Sequence, residues 1–314
     1  MSISEYKELY NSTIIAKSNA IIIEYLSHNR NLKYRPFSHN SNKSCLDDLY
    51  ELIIDNTVFY AFSEDEILSM NRNMAILDDL RSAAKFAFSD RLPKRTYANS
   101  DGTLGEILLD LLIQAYEPDS EKLIARAKHT GMCSKTEITG YDALYFTKDI
   151  EGITLWLGQA KAGQAKYCKT DIKNDLNTKF SSSYFSNTAF YIATRCSSPS
   201  LLSIVNQINK LCFIAQKDNY TSEKKAYELF ALLLKNNIKI KIPCLLAFSS
   251  DIYLDSSLLE NEVLKCTEAM CTALDSEKYS IDLPLPFEIL FYIFPIKDIS
   301  YIRERIVELK KEVV

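Results

Sequence analysis

The stretch TGYDALYFTKDIEGITLWLGQAK (139–161) decides how this chain folds. It reads as the main part of two strands, over Thr136–Phe146 and Ile153–Lys161, joined by Lys-Asp-Ile-Glu-Gly at 148–152. Alternate residues of a strand share a face. Ile153, Leu155, Leu157, Gln159 and Lys161 therefore line one side of the second strand, and Thr154, Trp156, Gly158 and Ala160 the other. The first side is apolar until its end, where an amide and an ammonium replace the aliphatics. A symmetric turn sets residue 146 against 154 and Asp142 opposite 158, next to Gln159, with a slip of one or two residues open. A carboxylate, an amide and a lysine then meet at one end of an apolar hairpin. Burying such groups is costly unless they pair with one another or with a metal. An Asp142–Lys161 ion pair at the sheet rim and a functional site both meet that requirement.

All seven glycines of the chain fall between residues 102 and 163, around this hairpin. Glycine goes where the backbone takes unusual angles or approaches closely, so this window is where chemistry is expected. At its start, Leu104, Leu108, Leu111, Leu112 and Ala115 recur at helical spacing. That helix carries Glu106 into the same neighbourhood. Thr103-Leu104-Gly105-Glu106 also fits a capping box, with Glu106 folded back onto the Thr103 amide.

Further out, residues 44–55, 74–88, 166–179, 200–217, 222–236, 257–275 and 299–313 read as helices, and 188–194 (TAFYIAT), 238–250 and 287–294 as strands. Pro243 suits the beginning of its strand or a sheet edge. Residues 13–26 fit either a helix or a strand. Alternating strands and helices indicate an α/β (α+β) fold, a mixed sheet flanked by helices. Residues 1–95 read as a mainly helical N-terminal region and 96–314 as the domain that carries the hairpin.

The composition is that of a globular protein, with 47% hydrophobic and 25% charged residues. No apolar stretch approaches the roughly 20 residues of a membrane span, and the N-terminus has no signal-peptide pattern. A soluble cytoplasmic protein with no membrane partner is expected. The eight cysteines form no CxxC pair and the three histidines no HExxH, which argues against zinc chemistry. No Walker-type or G-x-G-x-x-G loop is present to cradle a nucleotide. The net charge of −4 predicts weak DNA binding by the chain on its own.

Phosphodiester hydrolysis suits the hairpin residues. A carboxylate and a backbone carbonyl can hold Mg²⁺, or Mn²⁺, with several waters retained. Such a metal activates water and polarises a phosphoryl oxygen. On this reading Asp142 is the main ligand and the Ala160 carbonyl a second; Gln159 is a neutral ligand or an orienter. Lys161 supplies positive charge, and Glu106 is an outer ligand or a water-positioning carboxylate.

The order GEILLDLL (105–112), TGYDALYF (139–146) and LWLGQAK (155–161) resembles the PD-(D/E)xK nuclease superfamily, and more narrowly the nuclease subunit of Hachiman-type anti-phage defence systems. The match is strongest over 104–162. The resemblance implies a restriction-endonuclease-like core, a Mg²⁺-dependent site at Glu106, Asp142, Gln159 and Lys161, DNA as substrate and a partner helicase. It also points to Lys128 as a basic contact. Position 159 departs from the pattern, since aspartate or glutamate is commoner there. That departure leaves open a catalytically inactive adaptor that binds the helicase or nucleic acid. Lys166, Lys169 and Lys173, at i, i+3 and i+7, would form a basic stripe beside Lys161. The stripe reads either as a DNA contact or as a solvated face, with Asp171 and Asp175 nearby.

Overall fold

The computed structural model describes residues 3–26, 33–92, 102–125, 140–196 and 198–312. Seven strands form one mixed sheet: β1 (Ile22–Glu24), β2 (Tyr34–His39), β3 (Glu121–Lys122), β4 (Ala143–Lys148), β5 (Ile153–Gly163), β6 (Ile238–Ser249) and β7 (Phe287–Ile296). Their order is β1-β2-β7-β6-β5-β4-β3. The four central strands β2, β7, β6 and β5 run parallel. β1 at one end and β4 and β3 at the other pair antiparallel.

Helices cover both faces, as a parallel core requires. On the first face lie α1 (Ile3–Tyr10), α2 (Ala16–Ile21), α3 (Cys45–Ala61), α4 (Glu64–Met74), α5 (Leu80–Phe86) and α6 (Thr103–Tyr116). On the second lie α7 (Ala165–Lys179), α8 (Ser182–Ala193), α9 (Leu202–Lys217), α10 (Ser222–Lys235) and α11 (Leu259–Asp275). The last helix, α12 (Ile299–Lys311), returns to the first face. β6 shows why its sequence is an unbroken apolar run. Leu245 and Ala247 enter the first core while Cys244, Leu246 and Phe248 enter the second. The expected α+β architecture, a mixed sheet flanked by helices, is therefore the one observed. Strands β1 and β2 and helix α3, all from the first 95 residues, share its sheet and first core.

Three local expectations are corrected, and one left open is resolved. The run 188–194, read as a strand, is the second half of α8. Phe185, Ala189, Ile192 and Ala193 share one helical face, and the Ser181 side chain caps the first turn by accepting the Tyr184 N–H. Pro243 sits inside central strand β6, not at an edge. The β5–β6 pairing steps from Trp156↔Lys241 to Gln159↔Cys244, so the imide nitrogen falls in a break of the ladder. The segment 74–88 is interrupted at Ala75, which takes a left-handed conformation, before a short 3₁₀ turn and α5. Residues 13–26 are helical to Ile21 and a strand from Ile22.

Candidate functional site

The hairpin forms with its register shifted by one residue: Thr147 faces Thr154 and Ala143 faces Gly158. The Asp142 N–H also donates to the Gly158 carbonyl, at 2.9 Å. Two residues at the start of β4 thus oppose one of β5, which is a bulge, and a bulge re-aims the side chain at its first residue. The Asp142 carboxylate is turned back to the strand and accepts the Ala160 N–H at 2.8 Å.

Glu106 arrives from α6. A Cβ on Gly105 would lie 3.4 Å from the Ala160 Cβ and 3.5 Å from the Ala162 nitrogen. The first turn of α6 therefore rests directly on the far half of β5, with small residues on both sides of the contact. The helix starts with Gly102 as its N-cap, so the capping box expected from Thr103 is not formed. Glu106 is buried and accepts the Tyr60 hydroxyl instead. Its charge reaches Asp142. Burial, reinforced by Glu106, pushes the Asp142 carboxyl up to about 6, against the opposing pull of Lys179, Lys161 and the Ala160 N–H.

Gln159 and Lys161 face α7. Gln159 is fully buried; its amide nitrogen donates to the Gly140 carbonyl at 3.0 Å and its oxygen accepts Lys179 Nζ at 2.8 Å. Lys161 Nζ lies 2.6 Å from Asp175 Oδ2, and Lys179 Nζ lies 3.1 Å from the same oxygen. Burial alone would lower the Lys161 ammonium, but Asp142 and Asp175 outweigh it and hold it above the ordinary lysine value.

The structure thus brings Glu106, Asp142, Gln159, Ala160 and Lys161 together where α6, β4, β5 and α7 meet. It adds Asp175 and Lys179, which pattern reading passed over. Asp175 is two residues beyond Lys173 and was visible only as a neighbour that dilutes the basic stripe. Lys179 is the last residue of α7 and no periodicity marks it. The stripe itself is only partly available: Lys166 is exposed, while Lys173 pairs with Glu277 at 2.5 Å. Lys128 lies outside the described residues.

A second charged group lies one turn along α6. Asp110 is buried and accepts from Asn56 Nδ2 at 3.0 Å, from Gln114 Nε2 at 2.8 Å and from the Tyr145 hydroxyl. Lys122 Nζ stands 3.6 Å from it. Asp142, Asp110, Lys122, Tyr60 and Tyr145 together line a shallow hollow. A larger apolar hollow under α8 and α9, walled by residues such as Leu157, Phe185 and Ile208, offers no charged group for chemistry.

Among the described residues no cluster of three or more His, Cys, Asp or Glu side chains is placed to hold a metal. Two carboxylates, the buried Glu106 and the half-buried Asp142, nevertheless stand near enough to repel one another, with Asp142 bonded to the Ala160 backbone. That hard-oxygen set fits Mg²⁺, which keeps much of its water shell and takes few protein ligands. No helix among the described residues is long and apolar enough to cross a membrane.

A family model described as HamA matches residues 10–309, nearly the whole chain. No curated protein and no solved structure matches it. The chain belongs to the HamA family and is thereby a Hachiman-type antiviral defence protein.

Proposed function

We propose that this chain is a metal-dependent DNA endonuclease, the effector of its defence system, acting under the control of a partner helicase. The observation that carries the reading is the buried Glu106 carboxylate acting electrostatically on the half-buried Asp142 carboxylate, within the field of two lysines at the end of the β4–β5 hairpin. Two acids placed within each other's field are stabilised by a cation or a proton brought between them.

Glu106, Asp142 and the Ala160 carbonyl would hold Mg²⁺, with Mn²⁺ as a substitute. Bound there, the metal would acidify a water and polarise the scissile phosphate. Lys161 stabilises the negative charge that develops on the phosphoryl oxygens, and Asp175 fixes its ammonium in place. Gln159, bonded at both ends of its amide, orients neighbouring groups. The net charge of −4 leaves the chain without a general grip on DNA, which supports a helicase that delivers the strand.

The test is degradation of plasmid and linear DNA with Mg²⁺ or Mn²⁺, by the chain alone and with its helicase and ATP, beside an Asp142→Ala/Lys161→Ala variant. Degradation by the wild type and not by the variant supports the proposal. Intact DNA in every condition, with a stable helicase complex, favours the second reading: a binding adaptor whose neutral Gln159 marks a lost site.

A further inference from the structure

Lys179 has no role in the motif that led to the site, yet three independent features converge on it. First, its ammonium is fixed at two points, 2.8 Å from Gln159 Oε1 and 3.1 Å from Asp175 Oδ2. A lysine side chain loses considerable rotamer freedom when so held, and a merely solvated helix end gains little from it. Second, its stem crosses the backbone of Gly140. A Cβ at 140 would come within 3.1 Å of the Lys179 Cε and would collide with the Tyr184 hydroxyl. The glycine two residues before Asp142 therefore opens the passage by which Lys179 reaches the site. Third, Asp175 Oδ2 is shared between Lys179 and Lys161, whose ammonium lies 2.6 Å away. One carboxylate thus holds two cations side by side, leaving the trio a net positive charge. The three side chains keep 19%, 17% and 15% of their surface for Lys179, Lys161 and Asp175, so the pair is screened from bulk water without being sealed.

We infer that Lys179 is a second phosphate-binding cation of the site, and that Gln159 serves as its tether instead of as a metal ligand. The inference deepens the nuclease reading and takes from it that the ligand is a nucleic-acid strand. Two ammoniums fixed next to a pair of carboxylates suit a phosphodiester, whose charged oxygens need donors on the side away from the acids. It also gives the glutamine a reason. A glutamate at 159 would pair with Lys179 and cancel the charge, whereas the neutral amide orients the ammonium and leaves its charge intact.

The experiment is fluorescence anisotropy of labelled single- and double-stranded oligonucleotides over a salt series without divalent metal, using the full chain. It compares wild type, Lys179→Gln, Lys179→Arg and Gln159→Glu, with DNA cleavage and Mn²⁺ calorimetry run in parallel. Lys179→Gln is expected to weaken binding about tenfold and to reduce the slope of log affinity against log salt by about one, with recovery in Lys179→Arg. Gln159→Glu is expected to weaken DNA binding without tightening Mn²⁺; it covers the case in which Lys179→Gln fails to fold. An unchanged salt slope in Lys179→Gln overturns the inference. So does a Gln159→Glu variant that binds Mn²⁺ more tightly and keeps its DNA affinity, or a wild type that binds no DNA at any salt. Cleavage unaffected by loss of Lys179 would remove the inference and leave the nuclease standing. Lys179-dependent binding by a wild type that never cleaves would do the reverse.

Discussion

Helix α6 sends two carboxylates off one face, Glu106 and, a turn later, Asp110, and their surroundings differ in kind. Asp110 sits in a closed network. Asn56, Gln114 and Tyr145 donate to it, Lys122 stands at 3.6 Å, and Tyr10 and Tyr6 satisfy the amides behind it at 2.9 and 2.7 Å. Glu106 accepts the Tyr60 hydroxyl and also acts on a second acid, Asp142, whose carboxyl is pushed up to about 6 by burial and by Glu106 itself. A buried charge with every oxygen supplied holds a fold together. A pair of acids kept against their repulsion is a place where a cation or a proton is to come and go. On the proposed function, the same helix serves as scaffold at one turn and as reagent at the turn before.

The sharpest way to break that contrast is to remove each acid in turn. Asp142→Ala is expected to lower DNA cleavage by about a thousandfold or more. Its stability should stay within about 1 kcal/mol of wild type, because the repulsion with Glu106 goes as well. Asp110→Ala is expected to do the opposite. It removes the carboxylate that buried Lys122, Asn56, Gln114 and Tyr145 share, a loss of about 3–5 kcal/mol in urea unfolding. Equal destabilisation by both variants would erase the distinction.

The pH dependence sharpens it further. The raised Asp142 pKa means that the folded chain holds a proton the unfolded chain has already released. Stability contributed by that proton is complete below about 4 and is lost as pH rises toward about 6. Cleavage should move the other way, rising as Asp142 ionises through about 6. Glu106→Gln removes the repulsion, so the midpoint of a single-turnover pH profile should shift to lower pH. A midpoint unmoved by Glu106→Gln would separate the two acids.

The smallest effect is expected from the α7 stripe. Lys166→Ala/Lys169→Ala/Lys173→Ala should weaken DNA binding only modestly and lower the salt slope by about two instead of three, since Lys173 is already paired with Glu277. Anisotropy across a salt series reads this directly, and a slope unchanged from wild type would assign the stripe to solvent.

The core of this arrangement was legible in the sequence for a physical reason. β5 has period-two alternation that ends in Gln159 and Lys161, and α6 has leucines at helical spacing; both signals are local. The glycine window marked the site because Gly105 and Gly140 sit where another element or side chain passes close to the backbone. Tertiary arrangements were not legible. Nothing local says that α7 will fold back to place Lys179 on Gln159, or that Tyr60 will claim Glu106 from the capping box. The error at 188–194 came from an apolar run too short to separate strand from helix by period. Asp110 could have been found: an aspartate among the leucines of GEILLDLL, four residues after Glu106, is a buried charge in search of partners. The one-residue shift of the hairpin is set at its turn, where Lys148 faces Ile153, and the bulge at the far end then returns Asp142 to Gly158.

The central claim is that Glu106 and Asp142 form a metal-binding pair, and calorimetric titration of Mn²⁺ into the purified chain addresses it most directly. Measurable binding by the wild type, abolished in Asp142→Ala, reduced in Glu106→Gln and retained in a folded Asp110→Asn, is the expected result. No binding by the wild type, or binding that survives Asp142→Ala, would contradict it.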